Sequence, residues 1–236
     1  MQDLGQDSGE PESDIHREAR LLLRAARSGS LAVILDGAPI IALVTPAIGF
    51  DGTPLLLLSR LAAHTRALDS NRRCALMVAG ETPDPNPQTY PRLSLTCLAA
   101  HSNAEADRAH YLAIHPYAAS YAGFADFGIF RLNILAARFV GGFARAADLD
   151  PAKLAPAAGA LHDRAANEAA IASVNETGGP ILDAIAHRRG GNGEGWRAVT
   201  LDRDGFDLAR GETVLRIEFR NTLHQYTDFQ HEISRL

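Results

Sequence analysis

The sequence predicts an α+β fold: an antiparallel β-barrel of six or seven strands with flanking helices, followed by a small C-terminal α+β domain. Three observations carry that prediction. Short β-prone runs alternate with Gly, Pro and Asp turn signals between residues 31 and 143. The first three of those runs have no helix between them, which excludes parallel βαβ units, because a parallel crossover needs about a dozen residues or more. Beyond residue 160 the texture changes to helical stretches, a hairpin, one more strand and a closing helix.

Residues 1–13 read as a polar, disordered tail. A helix opens near Asp14: Ile15, Ala19, Leu22 and Ala26 recur on one face, Arg17, Glu18, Arg20 and Arg24 surround it, and Ser28-Gly29-Ser30 stops it. Strands follow at 31–35, at 40–45 after Asp36-Gly37-Ala38-Pro39, and at 55–58 after Gly49-Phe50-Asp51-Gly52. A short helix at 62–70 interrupts the series and a strand at 74–79 resumes it. The stretch GETPDPNPQTYP is a loop, since proline is excluded from strand and helix interiors. A strand spans 93–101, and Ser102-Asn103-Ala104-Glu105 has capping-box form, opening a helix to about His115. Strands at 128–134 and 137–143 complete a barrel domain over 14–147. A linker runs from 148 to 160, and a C-terminal domain from 161 to 236. The latter reads as helix over 161–188 broken at Gly178-Gly179-Pro180, then strands at 196–201 and 206–209 around Asp202-Arg203-Asp204-Gly205, a strand at 213–219 and a helix at 221–235.

Composition narrows the function classes. Apolar residues form 46% of the 236-residue chain, enough for a sizeable core, so disorder does not describe the whole. The formal charge of −5 and the absence of a basic stripe argue against nucleic-acid binding. Cys74 and Cys97 both lie in apolar strand-like runs and read as buried free thiols; no CxxC spacing supports a zinc site. The N-terminal stretch has no basic n-region or apolar h-region, and no apolar run is long enough to span a bilayer, so the expected location is the cytoplasm.

One stretch carries chemistry. The apolar run from Leu55 ends at Ser59, and a helix follows at once, holding Arg60, His64, Thr65 and Arg66. A helix N-terminus offers free backbone N–H groups and a partial positive charge, a ready anion site. Two guanidiniums, an imidazole and two hydroxyls add donors suited to a phosphate. The residues by themselves also permit a plainer reading, with solvated helix-surface arginines and Ser59 as an N-cap.

The order of these segments resembles the HugZ-type haem-utilisation family. The resemblance rests on the opening helix, Asp36-Gly37-Ala38-Pro39, Asp51-Gly52-Thr53-Pro54 and the run from Leu55 to Leu68. It rests too on Tyr90 to Thr96, His115-Pro116, Tyr121 to Phe127 (YAGFADF) and Val140-Gly141-Gly142-Phe143. These segments cover about residues 15–150. The wider class is the FMN-binding split barrel, which includes pyridoxamine 5'-phosphate oxidase. The resemblance implies a split barrel, a homodimer with sites at the subunit interface, and FMN as cofactor. Ser59, Arg60, His64, Thr65 and Arg66 match the segment that holds the flavin phosphate, with Arg92 and Thr96 on the strand that helps from nearby. The oxidase carries a lysine where this sequence has His64, a weaker, pH-dependent cation.

The C-terminal domain resembles the small domain of the same family, which usually opens on a His-Met-Asn-x-Asp-His motif. Here the corresponding stretch runs from Ser173 to Gly178, keeps Asn175 and lacks both histidines and the aspartate, so the domain is degenerate. Haem iron takes an axial histidine, and the resemblance implies a C-terminal one, so His224 and His231, seven apart on the expected closing helix, are the candidate haem ligands. Three echoes are set aside: the Gly191–Gly195 loop follows no βαβ strand, the Asn175 sequon has no secretory route, and Asp202, Asp204 and Gly205 lack the remaining ligands of a calcium loop. The expected function is a flavin-dependent oxidoreductase related to haem-utilisation proteins, in which the flavin supplies the chemistry. The alternatives are a haem-binding or haem-degrading protein and a non-enzymatic module that has lost its cofactor.

Overall fold

The computed structural model describes residues 14–142, 145–155 and 160–236. The expected tail at 1–13, Phe143 at the end of the expected last barrel strand, and residues 156–159 of the expected linker lie outside them. In chain order the first part comprises α1 (Asp14–Ala25), β1 (Gly29–Leu35), β2 (Ala38–Val44), β3 (Ala47–Ile48), β4 (Pro54–Ser59), α2 (Ala63–Ser70), β5 (Arg73–Ala79), β6 (Arg92–Ser102), α3 (Glu105–Ile114), α4 (Ala119–Ala122), β7 (Phe127–Val140) and β8 (Ala146–Leu149). The strands form one antiparallel sheet in the order β2-β1-β5-β6-β7-β4-β3, with β8 pairing β7 off that path. Among the described residues no backbone pairing joins β2 to β3, the two ends of this path, so the barrel stays split.

The main path of the sheet has seven strands, within the expected six or seven, and β8 adds an eighth off that path. β3 has only two residues, and β8, AADL, has the composition of a linker, so neither carries a β signal of its own. The expected strands 128–134 and 137–143 are instead one 14-residue strand, β7. Leu135 is an extra residue there, because Thr96 pairs with Ala136 and Cys97 with Ile134; the β-bulge keeps the strand continuous while shifting its register.

The Leu55–Leu58 run is explained by two cores. Leu56 and Leu58 face the barrel interior with Leu31, Leu76, Leu95 and Leu132, which α1 closes with Ala19 and Leu23 and α2 with Ala67 and Leu68. Leu55 and Leu57 face the other way, into a cluster with Tyr111 and Ile114 of α3, Ala118 and Ile129. A strand covered on both faces reads as a continuous apolar run rather than an alternation. Each fully buried leucine contributes about 1.5–3 kcal/mol.

Cys74 and Cys97 are cross-strand partners. The bonds Ala99 N–H to Arg72 O and Gly80 N–H to Pro91 O mark alternate pairs of this ladder, and the cysteine pair with them, as hydrogen-bonded. In such pairs the Cα atoms stand about 5.5 Å apart. Both thiols are free and buried, as expected, and burial pushes them up to about 11 and about 12.

The second part comprises α5 (Arg164–Thr177), α6 (Gly179–Arg188), β9 (Arg197–Asp202), β10 (Gly205–Arg210), β11 (Thr213–Glu218) and α7 (Phe229–Ile233), with β11-β10-β9 as a separate antiparallel sheet. It has its own core, built on Trp196, Leu182, Phe206, Phe219 and Phe229. Gly205 is fixed by close approach: a Cβ there would stand 2.2 Å from the Ile217 carbonyl oxygen. The closing helix is much shorter than expected. Residues 221–225 are not helical, Tyr226–Asp228 form a 3-10 turn, and α7 holds only five residues. Leu223, Tyr226, Phe229 and Ile233 are drawn separately into the core, and tertiary burial overrides the helical period there.

The hairpin β9–β10 docks on α1 through ion pairs. Arg20 Nε donates to Asp204 Oδ2 at 2.6 Å, Arg24 lies 3.6 Å from Asp202, and Arg27 Nη2 reaches Asp207 Oδ1 at 2.5 Å. Arg216 of β11 pairs with Asp202 at 2.7 Å, and Arg17 donates to the Phe219 carbonyl at 2.6 Å. The aspartates that echo a calcium loop are thus held by guanidiniums. The capping-box expectation also needs correction: Ser102 Oγ donates to Asp107 at 2.6 Å, and α3 begins after Ala104 with no side-chain cap.

Candidate functional site

The site is built where β4 hands over to α2. β4 pairs with β7, Ser59 opposite Phe127, and this register brings the 125–127 turn against the end of β4. Three bonds tie the two segments together: Ser59 Oγ donates to Asp126 Oδ2 at 2.5 Å, Arg60 N–H to the Asp126 carbonyl at 2.8 Å, and Arg60 Nη2 to the Ala125 carbonyl at 2.7 Å. Leu61 N–H donates to Ser59 Oγ at 3.1 Å, and Arg66 Nη1 to the Leu61 carbonyl at 2.7 Å. Two exposed guanidiniums, each anchored by one side-chain bond to a carbonyl, therefore stand at the opening of α2, where no side chain caps Ala62. Each retains further N–H donors of its planar fork.

The remaining residues do not all face that opening. The Ser59 hydroxyl has a single proton, already given to Asp126, so Ser59 positions the turn rather than donating outward. Thr65 is fully buried on the inner face of α2, and among the described residues its Oγ1 has no partner. His64 is half-buried, and burial lowers its pKa, so at neutral pH it offers an N–H without a full charge. The donor set thus fits an oxyanion through Arg60 and Arg66, with His64 beside them and the two hydroxyls turned away.

The fold also separates Arg92 and Thr96 from this cradle within one chain. Ser102 lies near the cradle end of β6 and Arg92 starts the same strand, 11 residues in all, about 33 Å of extended backbone. Thr96 is mid-strand on the outer face of the sheet. That face is strongly apolar: Ile41 and Leu43 are 75% and 79% exposed, and Met77, Leu98 and Leu135 are exposed beside them. His224 and His231 are both exposed, but only His231 is helical, so they do not share a helix face. Asn175 is a structural clamp: its amide donates to the Ala198 carbonyl and accepts the Ala198 N–H, both at 2.8 Å, fixing α5 to β9. Among the described residues there is no cluster of three or more His, Cys, Asp or Glu able to hold a metal, and no helix long and apolar enough to cross a membrane.

The sequence reading missed Asp126, whose carboxylate and carbonyl organise the cradle. It also missed Arg17, Arg20 and Arg24 on one face of α1 and Arg27 just beyond its end; their spacing was the available signal.

No protein-family model matches the chain. By sequence it is 34% identical over 135 residues to the chloroplastic non-canonical heme oxygenase HOZ of Arabidopsis thaliana, covering 55% of this chain and 41% of that protein; the chain thus spans under half the length of this curated relative. Among solved structures, a protein of unknown function from Agrobacterium tumefaciens superposes over the whole of both chains at 25% identity, with a TM-score of 0.76. A heme binding protein from Mycobacterium smegmatis matches over 96% of this chain and 97% of its own, at 25% identity and a TM-score of 0.59. The chain shares with these two solved structures its fold, an antiparallel split barrel with an appended α+β part.

Proposed function

We propose that the chain is an FMN-binding split-barrel protein acting as a flavin-dependent oxidoreductase. It would work as a cytoplasmic homodimer with its sites at the subunit interface. The observation that carries this reading is the pair Arg60 and Arg66, exposed and carbonyl-anchored at the uncapped start of α2. An N-terminal helix turn with two guanidiniums suits a terminal phosphate. The flavin, when bound, supplies electron transfer; the chain's own residues bind and orient it. Arg60 and Arg66 would hold the phosphate, His64 would donate one neutral N–H, and Ser59 would hold the 125–127 turn against the cradle. The apolar outer face with Ile41, Leu43 and Met77 supports a second copy as partner, since exposed apolar patches of this kind mark association surfaces.

The test is a fluorescence titration of the purified chain with FMN. Binding should quench the flavin, and Arg66→Ala should weaken it about tenfold or more. Unquenched FMN in the presence of the wild-type chain overturns the reading. Sedimentation should give a dimer, and Leu43→Glu at the apolar face should give a monomer.

A second reading, haem binding or haem degradation, is supported by the relatives named as a heme oxygenase and a heme binding protein. A porphyrin carries propionate carboxylates, which the same two arginines suit. Haem titration distinguishes the two readings by a Soret shift where FMN gives no quenching. If neither ligand binds, the module without a cofactor is the remaining reading.

A further inference from the structure

A second concentration of positive charge stands at the other end of the sheet, apart from the β4–α2 cradle. β6 starts at Arg92 opposite Val140, the last residue of β7, and β8 returns with Ala146 opposite the same Val140. Arg138 pairs with Ser94, so Arg92 and Arg138 are diagonal neighbours on one face of the sheet, at a separation of about 7–8 Å between backbones. Arg145 reaches the same corner from the turn after β7, where Gly141 N–H bonds the Arg145 carbonyl at 2.8 Å. Gly142, in the left-handed region at φ 117°, lets the chain double back there. Together these residues line a cleft of about 510 Å³, floored by Val140 and Ala146 and edged by Gln88. Its size lies in the range of small-ligand sites.

Like charges placed this close oppose folding unless something compensates them. Arg138 has Asp148 at 2.8 Å and Arg145 has Glu18 at 2.8 Å. Both pairs are surface contacts, with Arg138 and Asp148 58% and 80% exposed, and surface pairs are worth about 0–1 kcal/mol. Among the described residues no carboxylate pairs with Arg92; its Nη1 donates to the Gln88 and Tyr90 carbonyls at 3.1 and 3.2 Å. Among the described residues, three guanidiniums line one cleft, and two of them hold surface carboxylates. An oxyanion able to bridge two forks would make charge-assisted bonds about twice as strong as neutral ones.

We propose that Arg92, Arg138 and Arg145 form a second anion-binding site, distinct from the cradle, which takes a phosphate or carboxylate group by displacing Asp148 from Arg138. The proposal does not depend on which cofactor the cradle takes.

The test is isothermal titration of the full chain with inorganic pyrophosphate in one arm and with citrate in the other, in an Arg66→Ala background that removes the cradle's contribution. Binding should persist in that background and weaken about tenfold or more on Arg92→Ala or Arg138→Ala, and Arg138→Lys should recover part of it. The arm that binds more tightly identifies the group as phosphate or carboxylate. Asp148→Asn provides a check that does not rest on arginine removal: the displaced carboxylate is gone, so affinity should rise. Binding unchanged in Arg92→Ala and Arg138→Ala, no binding in the Arg66→Ala background, or unchanged or weaker binding in Asp148→Asn overturns the proposal.

Discussion

Arg20 and Asp204 are joined by two hydrogen bonds, at 2.6 and 3.2 Å, between side chains only 4% and 1% exposed. They are 184 residues apart in the chain, one on α1 and the other in the turn between β9 and β10. Removing Arg20 leaves the buried Asp204 carboxylate facing the Thr222 hydroxyl at 2.9 Å and the more distant Arg17 at 3.8 Å, weaker compensation than the fork it loses. Arg20→Ala is expected to lower stability by about 3–5 kcal/mol in urea or thermal unfolding. Replacing both residues, as in Arg20→Met with Asp204→Leu, is expected to recover part of that loss. A single variant as stable as the wild type would show that the contact contributes nothing to holding α1 on the hairpin.

The same interface makes a pH prediction through Asp202. Burial disfavours its carboxylate, but Arg216 and Arg24 outweigh burial and hold it down at about 2, below its ordinary 3.8. A carboxylate depressed in the folded state stabilises the fold above the unfolded value and loses that contribution as pH falls through the folded one. The depression corresponds to about 2 kcal/mol, present above about pH 4 and lost progressively toward pH 2. Asp202→Asn should flatten this part of the acid-unfolding curve, measured by far-UV circular dichroism.

Ser59 discriminates between a residue that touches an anion and one that positions the site. Its proton is committed to Asp126. Ser59→Ala should therefore lower thermal stability by about 1–2 kcal/mol, while the Kd for FMN stays within a factor of about three. The loss in Arg66→Ala should be tenfold or more. Equal losses in the two variants would put the hydroxyl on the phosphate.

Asn175, the residue retained from the degenerate motif, makes two bonds to the Ala198 backbone. Asn175→Ala leaves both backbone groups without that partner and is expected to cost about 1–3 kcal/mol. Titrations with FMN and with haem should be unaltered, because the amide faces β9.

His224 and His231 are both exposed and not on one helix, so haem iron would take them singly. If haem binds through this segment, replacing one of the two by alanine, and not the other, should remove the Soret shift. Loss in both variants would restore the shared-face arrangement.

Much of the architecture is written locally. The turn signals Asp36-Gly37 and Asp202 to Gly205 fix two hairpins, the apolar stripe of α1 fixes its buried face, and the Leu55–Leu58 run announces a strand covered on both sides. The cradle segment from Ser59 to Arg66 is legible as well, because a strand end, a helix start and the basic side chains are contiguous. Where each side chain points was not: the Ser59 proton goes to Asp126 and Thr65 turns inward because of neighbours supplied by β7 and the barrel core. Arg92 belongs to a corner made by β6, β7 and β8, a grouping set by strand register and a bulge at Leu135 rather than by spacing. The arginines of α1 and the aspartates of the β9–β10 hairpin each look solvated in their own segment. Only long-range packing brings them together, and there the pairing of opposite charges away from water decides what each is for.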